Sequence, residues 1–595
     1  MNQERGSQSR RPVMRVDTDV IAIESTFRTR KGASTQPHLG HPGHLGNSGH
    51  PGRVRRFPAS LVAGALIALS FWWVNHGRDA AFNRGGLGEV GRFFAAALHP
   101  RHDTEFLRIT ARATAITLSY AVLGTVLSGL MAFVVGTVIS TRWRTNRRRR
   151  LARTSLRWLL IPLRGIHEVL WALLLLNILG LDPLVAIAAL VIPFGAITAK
   201  VFADQLDAVD PAPAKALRAS GASETQVFYY AVLPTALPDL ISYVFYRFEC
   251  AIRSAAILGL IGAGGIGYEL QLSFQSLAYK EMWTMLFALI AISGLADAAS
   301  TRLRRRSVRK RGDDRRRNVR FPARIRRRGL RFPALTLNPT FRRGGLTTLV
   351  FVALGWSIAT LNLHPSHLWS ARTRTLFTEL RRTWFPPDLS VMQLRKLSAL
   401  AFDTATVSIA SIAISLALAA PVAFVASRRA GTRLPRRFAG LMARFLLLLT
   451  RAIPPSVWAF LTVLVFFSGL LPAAVALGVY NFGVLGRLLA EVVENLDPVP
   501  AQVLRVTGAR PTQVLAYAVV PVAASRFGSY SLYRWEVAAR ETIVVGIVAG
   551  GGLGNQLKQR MAAFDYPQVV SAVLFFIGLT FLVDLVSGSL RRRID

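Results

Sequence analysis

DPAPAKALRASGASETQVFYYAVLP spans residues 210–234, and DPVPAQVLRVTGARPTQVLAYAVVP spans residues 497–521. They are one segment written twice, 287 positions apart (497 minus 210). Both read as helix, glycine, helix, proline. Gly221 and Gly508 suit a turn at positive φ, where a side chain would be strained. After the turn, Ser223 and Gln226 are placed for a capping box, and Pro511 takes a first helical position in the second copy. Pro234 and Pro521 stand 13 residues after the glycines and are expected to end the element.

The same offset carries the register outward. Arg164 recurs as Arg451, YRFE (246–249) as YRWE (533–536), and LRRR (303–306) as LRRR (590–593). Around the repeated segment the chain is strongly apolar, with 52% hydrophobic residues and a mean hydropathy of +0.36. An α-helix needs about 20 apolar residues to cross a bilayer. Windows of that kind start near Pro58, Ala113, Leu159, Leu184, Leu240 and Trp283, and again near Gly345, Leu400, Phe445, Leu471, Tyr530 and Val569. The expected fold is therefore all-α and integral to a membrane, with about twelve transmembrane helices in two six-helix halves. Six is even, so both halves insert in the same sense and are related by a pseudo-twofold axis along the membrane normal.

The formal charge of +41 raises the question of nucleic acid. Its distribution answers it. Arginine clusters at 142–153, 301–328, 427–437 and 591–593, each after an even number of crossings, which puts them and both termini on the cytoplasmic side. They lack the interleaved aromatics that stack on bases, so no nucleic-acid partner is expected. The loops near 75–112 and 363–399 would face outward. Residues 1–54, rich in His, Gly and Arg, read as a disordered tail without a signal-peptide core, and 307–340 as an Arg-rich linker between a first half (55–306) and a second (341–595). The lone Cys250 excludes an internal disulfide.

The repeated segments resemble the E-A-A-x-x-x-G coupling loop of ABC-importer permeases. Ala216, Leu217 and Gly221 match it in the first half; Gly508, and more loosely Val503 and Leu504, match it in the second. The family's glutamate is replaced by Lys215 and Gln502. RAIPPSVWAFLTVLVF (451–466), NFGVLGRLLAEVVENLDP (481–498), YRFECAIRSAAILGLIGAGGIGYEL (246–270) and FPPDLS (385–390) resemble the phosphonate-type, PhnE-like permeases over nearly all of each half. Such permeases are usually homodimers of a half-sized chain, so this one looks like two fused. The resemblance implies a type I ABC importer permease fold and a bacterial plasma-membrane location. It implies transport of phosphonates, phosphate or phosphite, two ABC ATPase subunits docked on the cytoplasmic loops, and an extracytoplasmic binding protein.

Charges inside the fifth span are the candidate pathway residues. Glu249 and Arg253 stand four apart, as do Glu536 and Arg540, a spacing that closes an ion pair on one helix face. Arg253 lies 14 residues after Asp239, about 21 Å along the helix and past the bilayer midpoint, where charge faces protein or water. Helix-packing pairs and a cationic constriction for an anion are both open readings. Arg164 and Arg451 read as interfacial anchors at the start of the third span. His167-Glu168, replaced by Pro454-Pro455, reads as local packing or a proton relay.

GAGGIG (262–267) fits a dinucleotide-binding pattern. It follows an apolar span rather than a strand, and its copy AGGGLG (549–554) loses the first glycine. What survives is Gly264, Gly265 and Gly267 against Gly551, Gly552 and Gly554, a bend at the outward end of the fifth span and, by the resemblance, a gate hinge. The chain has no G-x-x-x-x-G-K-[ST] phosphate loop. It is thus expected to be no enzyme, with no catalytic or metal residues and no cofactor of its own; ATP and Mg belong to the partner ATPase. An ion-gradient-driven transporter of an anionic solute is the alternative.

Overall fold

The computed structural model describes residues 57–75, 82–141, 147–317, 339–427 and 434–594. All of the tail (1–54) and most of the linker (307–340) lie outside the described residues. Among the described residues eleven α-helices form each half, and helix n of the first corresponds to helix n + 11 of the second. The first set is α1 (Phe57–Asn75), α2 (Arg84–Ala96), α3 (Thr104–Ile139), α4 (Arg147–Gly165), α5 (Glu168–Leu179), α6 (Pro183–Asp207), α7 (Pro211–Ala219), α8 (Glu224–Val227), α9 (Leu233–Leu258), α10 (Ile266–Gln275) and α11 (Tyr279–Arg317). The second is α12 (Pro339–Leu361), α13 (Ala371–Trp384), α14 (Val391–Ala426), α15 (Leu434–Ala452), α16 (Pro455–Phe466), α17 (Leu470–Glu494), α18 (Val499–Val506), α19 (Pro511–Val514), α20 (Val520–Ala549), α21 (Gly552–Ala562) and α22 (Tyr566–Ile594).

Six helices, α3, α6, α11 and their copies, are long and apolar enough to cross a membrane unbroken. Four more candidate spans are bent pairs, and the described parts of α1 and α12 are shorter apolar helices. Together these account for the twelve apolar windows. In each half α6 or α17 is the most enclosed element, packed along α3 or α14. Small residues let the backbones approach: Gly124 sits on Leu190, Gly136 on Phe202, and Gly478 on Ile414.

Two expectations need correction. The third span of each half is not one helix: α4 meets α5 at 91° and α15 meets α16 at 92°. Continuous apolarity across the break hides it, but Gly165-Ile166-His167 and Ile453-Pro454-Pro455 end one helix and start the next. Arg164 and Arg451 therefore close the last turn of α4 and α15 rather than begin a span. Second, Pro234 and Pro521 do not stop their helices. π-helical turns at Phe228–Val232 and Leu515–Val519 widen the ring just before each proline, and the helix runs on into α9 and α20. The segments near 75–112 and 363–399 hold amphipathic helices, α2 and α13.

The halves exchange their first elements. α12 packs on α3, and Trp73 of α1 donates from Nε1 to Asp403 of α14 at 2.9 Å and sits edge-on to Phe402. Likewise α2 lies on α16 and α13 on α5. Asn83 pins α2 through bonds from its backbone N to the Val465 carbonyl and from Nδ2 to the Leu464 carbonyl.

Candidate functional site

Each repeated segment builds an elbow at the end of the molecule where α6 and α17 terminate. Asp210 Oδ1 accepts from the Ala212 N–H to start α7, and Ser223 and Gln226 close a capping box that starts α8. Between them Gly221 turns at φ +85°, and Gly508 turns at φ +82° between α18 and α19. The first elbow carries a brace: Arg218 donates from Nε and Nη2 to both oxygens of Glu224, at 2.9 and 2.8 Å. That carboxylate holds the guanidinium above its ordinary range. Pro511 occupies the Glu224 position in the second elbow, which therefore lacks the brace. Ala216, Val503 and Leu504 lie on these helices, with Ala216 and Val503 exposed and Leu217 half-buried. α18 presents Val499, Val503 and Val506 at helical spacing, Val506 being 88% exposed.

Between the fifth helices, Tyr246 of α9 lies within electrostatic range of Tyr533 of α20 and of Cys250. Arg253 Nη2 donates to Glu249 Oε1 at 2.7 Å. The matching pair Glu536–Arg540 does not form: Glu536 accepts from Arg591, and Arg540 bonds Asp584 at 3.3 Å. Both competitors come from α22, which offers closer opposite charge than the helix's own i,i+4 neighbour.

Two charge clusters that sequence reading missed join the halves. Asp297 of α11 lies 3.5 Å from Arg451 of α15 and 3.4 Å from Arg487 of α17. At the 287 offset these become Asp584, Arg164 and Lys200. Arg164 and Lys200 lie within electrostatic range of Asp584 across the interface. The signal was available: two lone acids in apolar helices, at one register.

The arginines of YRFE and YRWE differ in their partners. Arg534 donates from Nη2 to both oxygens of Glu541 at 2.9 and 3.1 Å, and from Nε to Asn481 Oδ1. Arg247 instead lies over the Phe194 ring, 3.7 Å from its centroid. In the first half Ser254 takes the Glu541 position and donates to Glu168 at 2.5 Å, so the carboxylate has moved from the fifth helix to α5. His167 is a cap here, its Nδ1 accepting from the Val169 N–H at 3.3 Å.

The glycine motifs bend the fifth helix away from α10 by 59° and from α21 by 55°. Gly265 and Gly552 take φ of +78° and +62°. Gly267 serves differently: a Cβ there would meet the Ala256 carbonyl oxygen at 1.7 Å, and at Gly554 the Ile543 oxygen at 2.6 Å. Thr117 and Thr404, another pair at the same offset, accept from the Ile266 and Leu553 N–H groups and so start α10 and α21. Gly264 has φ +79°, whereas its copy Gly551 is extended and packs on Leu470. Among the described residues no group of three or more His, Cys, Asp or Glu side chains is arranged to hold a metal.

The family described as binding-protein-dependent transport system inner membrane component matches the chain twice, at residues 132–311 and 398–595. The phosphate-import permease protein PhnE of Mycolicibacterium smegmatis is 26% identical over 480 residues, covering 80% of this chain and 84% of that protein. The phosphite transport system permease protein PtxC of Stutzerimonas stutzeri is 35% identical over 210 residues, covering 35% of this chain and 74% of its own length.

Proposed function

The chain belongs to the binding-protein-dependent transport system inner membrane component family, and from that premise we propose that it is the tandem permease of an ATP-driven importer of phosphate, phosphite or phosphonates. The observation that carries this reading is the pair of exposed elbows of matching fold, one per half, at one end of a pseudo-twofold bundle. The chain itself holds no G-x-x-x-x-G-K-[ST] phosphate loop.

Two copies of an ABC ATPase take the elbows from the cytoplasm, through Ala216, Leu217, Gly221 and Pro234 on one side and Val503, Leu504, Gly508 and Pro521 on the other. Both termini are cytoplasmic in a bacterial plasma membrane. A binding protein delivers the anion to the opposite mouth. ATP, held with Mg by the ATPases, favours one arrangement of the halves over the other. Moving the elbows together or apart acts on the cross-half bridges of Asp297 and on the cations of the first half that face Asp584. The bends at Gly264, Gly265, Gly267, Gly551, Gly552 and Gly554 serve as hinges at the far mouth. The domain limits follow the repeat, with 55–306 and 341–595 as halves joined by the 307–340 linker.

Glu249, Arg253, Glu536 and Arg540 line the route near the axis, the two arginines attracting the anion. Substituting Arg253→Gln and Arg540→Gln tests this part, since undiminished uptake by a properly assembled complex removes the role. The reading as a whole is tested by co-expressing the chain with its ATPase and binding protein. A stable assembly whose ATPase activity rises with phosphate, phosphite or 2-aminoethylphosphonate bound to the receptor supports it. Anion uptake by the chain alone, driven by an ion gradient, contradicts it.

A further inference from the structure

We propose that α4 and α15 lie in the plane of the inner leaflet and bind anionic phospholipid headgroups. The proposal rests on the cytoplasmic placement of the elbow end given above, and not on the substrate or the ATPase.

α5 turns back through Gly180 and packs against the spanning helix α6, so it follows the bilayer normal. A helix at 91° to it, or at 92° in the second half, runs parallel to the membrane surface. Its depth is fixed by its partners. Arg157 of α4 donates from Nη2 to the carbonyl of Ile139, the last residue of α3, at 2.8 Å. Arg444, at the same position in α15, donates from Nε to the carbonyl of Ala426, the last residue of α14, at 2.7 Å. Arg444 also lies 3.5 Å from Glu494, which ends α17, and Arg153 is within electrostatic range of Asp207, which ends α6. Each helix is therefore strapped across the elbow-side ends of two spans, at the level of the headgroups.

Chemistry then divides its faces. Leu156, Leu160 and Leu163 pack inward with Phe202 and Leu206. Trp158 is 66% exposed and Phe445 58%, with Leu151, Leu159, Phe438 and Leu441 also open. Arg150, Arg436 and Arg437 are exposed beside them. Exposed apolar residues next to exposed guanidinium groups match the acyl-headgroup boundary of an anionic leaflet. Duplication at the 287 offset makes an accidental arrangement implausible, because both halves keep the bend and the strap.

The full-length chain is reconstituted in nanodiscs of phosphatidylcholine mixed with phosphatidylglycerol, and the lipids it retains are counted by native mass spectrometry. The wild type is expected to retain phosphatidylglycerol over phosphatidylcholine. A triple variant, Arg150→Gln with Arg436→Gln and Arg437→Gln, is expected to lose about fivefold of that preference per arginine removed. An unchanged ratio in a variant that elutes and melts like the wild type overturns the proposal, as does a wild type without preference. Depth is read separately from Trp158, isolated as the fluorescence difference from Trp158→Phe: quenching by lipids brominated in their acyl chains is expected, and its absence overturns the in-plane placement. Failure of the transport reading gives another result, an ATPase that does not associate while the lipid preference persists.

Discussion

Asp297 bridges the halves through Arg451 and Arg487, whereas Asp584 pairs with Arg540 of its own half and lies within electrostatic range of Arg164 and Lys200 of the other. These pairs are 15–34% exposed at the side chain, so each contributes less than the 3–5 kcal/mol lost when a fully buried pair is broken. We expect Asp297→Asn or Asp584→Asn to cost about 1–3 kcal/mol and to raise the basal ATPase rate of the assembled complex. An unaltered melting temperature together with an unaltered basal rate dismisses the bridge. Gly267→Ala is a harsher change: its Cβ would meet a backbone oxygen at 1.7 Å, and overpacking of that kind costs about 1–3 kcal/mol or more. Reduced yield of monodisperse protein is expected, against near-normal behaviour for Gly294→Ala, which has open space around it. At this scale the repeat exposed the glycines and the fifth-helix charges. It could not show which acid each arginine chooses, since Arg540 prefers Asp584 on α22 to Glu536 on its own helix.

The two elbows share a fold and differ in surface. The first is braced by Arg218 and Glu224 and shows alanines and Lys215, whereas the second carries a valine stripe without a brace. Apolar area buried in a partner groove yields about 25 cal/mol per Å², so in the proposed docking the second elbow is expected to be the stronger anchor. Pull-down of the ATPase should weaken several-fold with Val503→Ser plus Val506→Ser, and less with Ala216→Ser plus Ala219→Ser. Equal losses would show that the elbows are equivalent. The elbows were legible in the sequence because caps and turn glycines are local signals. The right angle between α4 and α5 was not, because an apolar run looks the same whether it goes straight or turns, and the π turns before Pro234 and Pro521 depend on hydrogen bonding that composition does not encode.

Across the whole molecule, α1 and α12 reach into the opposite half and α2 and α13 touch both halves, so neither half is complete alone. Expressed as two chains broken within 318–338, the halves should still assemble and co-purify, and either alone should aggregate or degrade. Recovery of a stable, monodisperse single half would contradict the exchange. Duplication was readable from the 287 offset, while the exchange rests on contacts such as Trp73 to Asp403, 330 residues apart, that no periodicity reveals.

The central claim is that nucleotide hydrolysis by a separate protein drives anion movement through this chain. Proteoliposomes holding the chain and its ATPase, with the binding protein outside and no ion gradient, measure it directly. The account predicts accumulation of labelled phosphate, phosphite or phosphonate only when ATP is supplied on the elbow side, and its loss on removing the ATPase. Accumulation without the ATPase, or only under an imposed ion gradient, would contradict it.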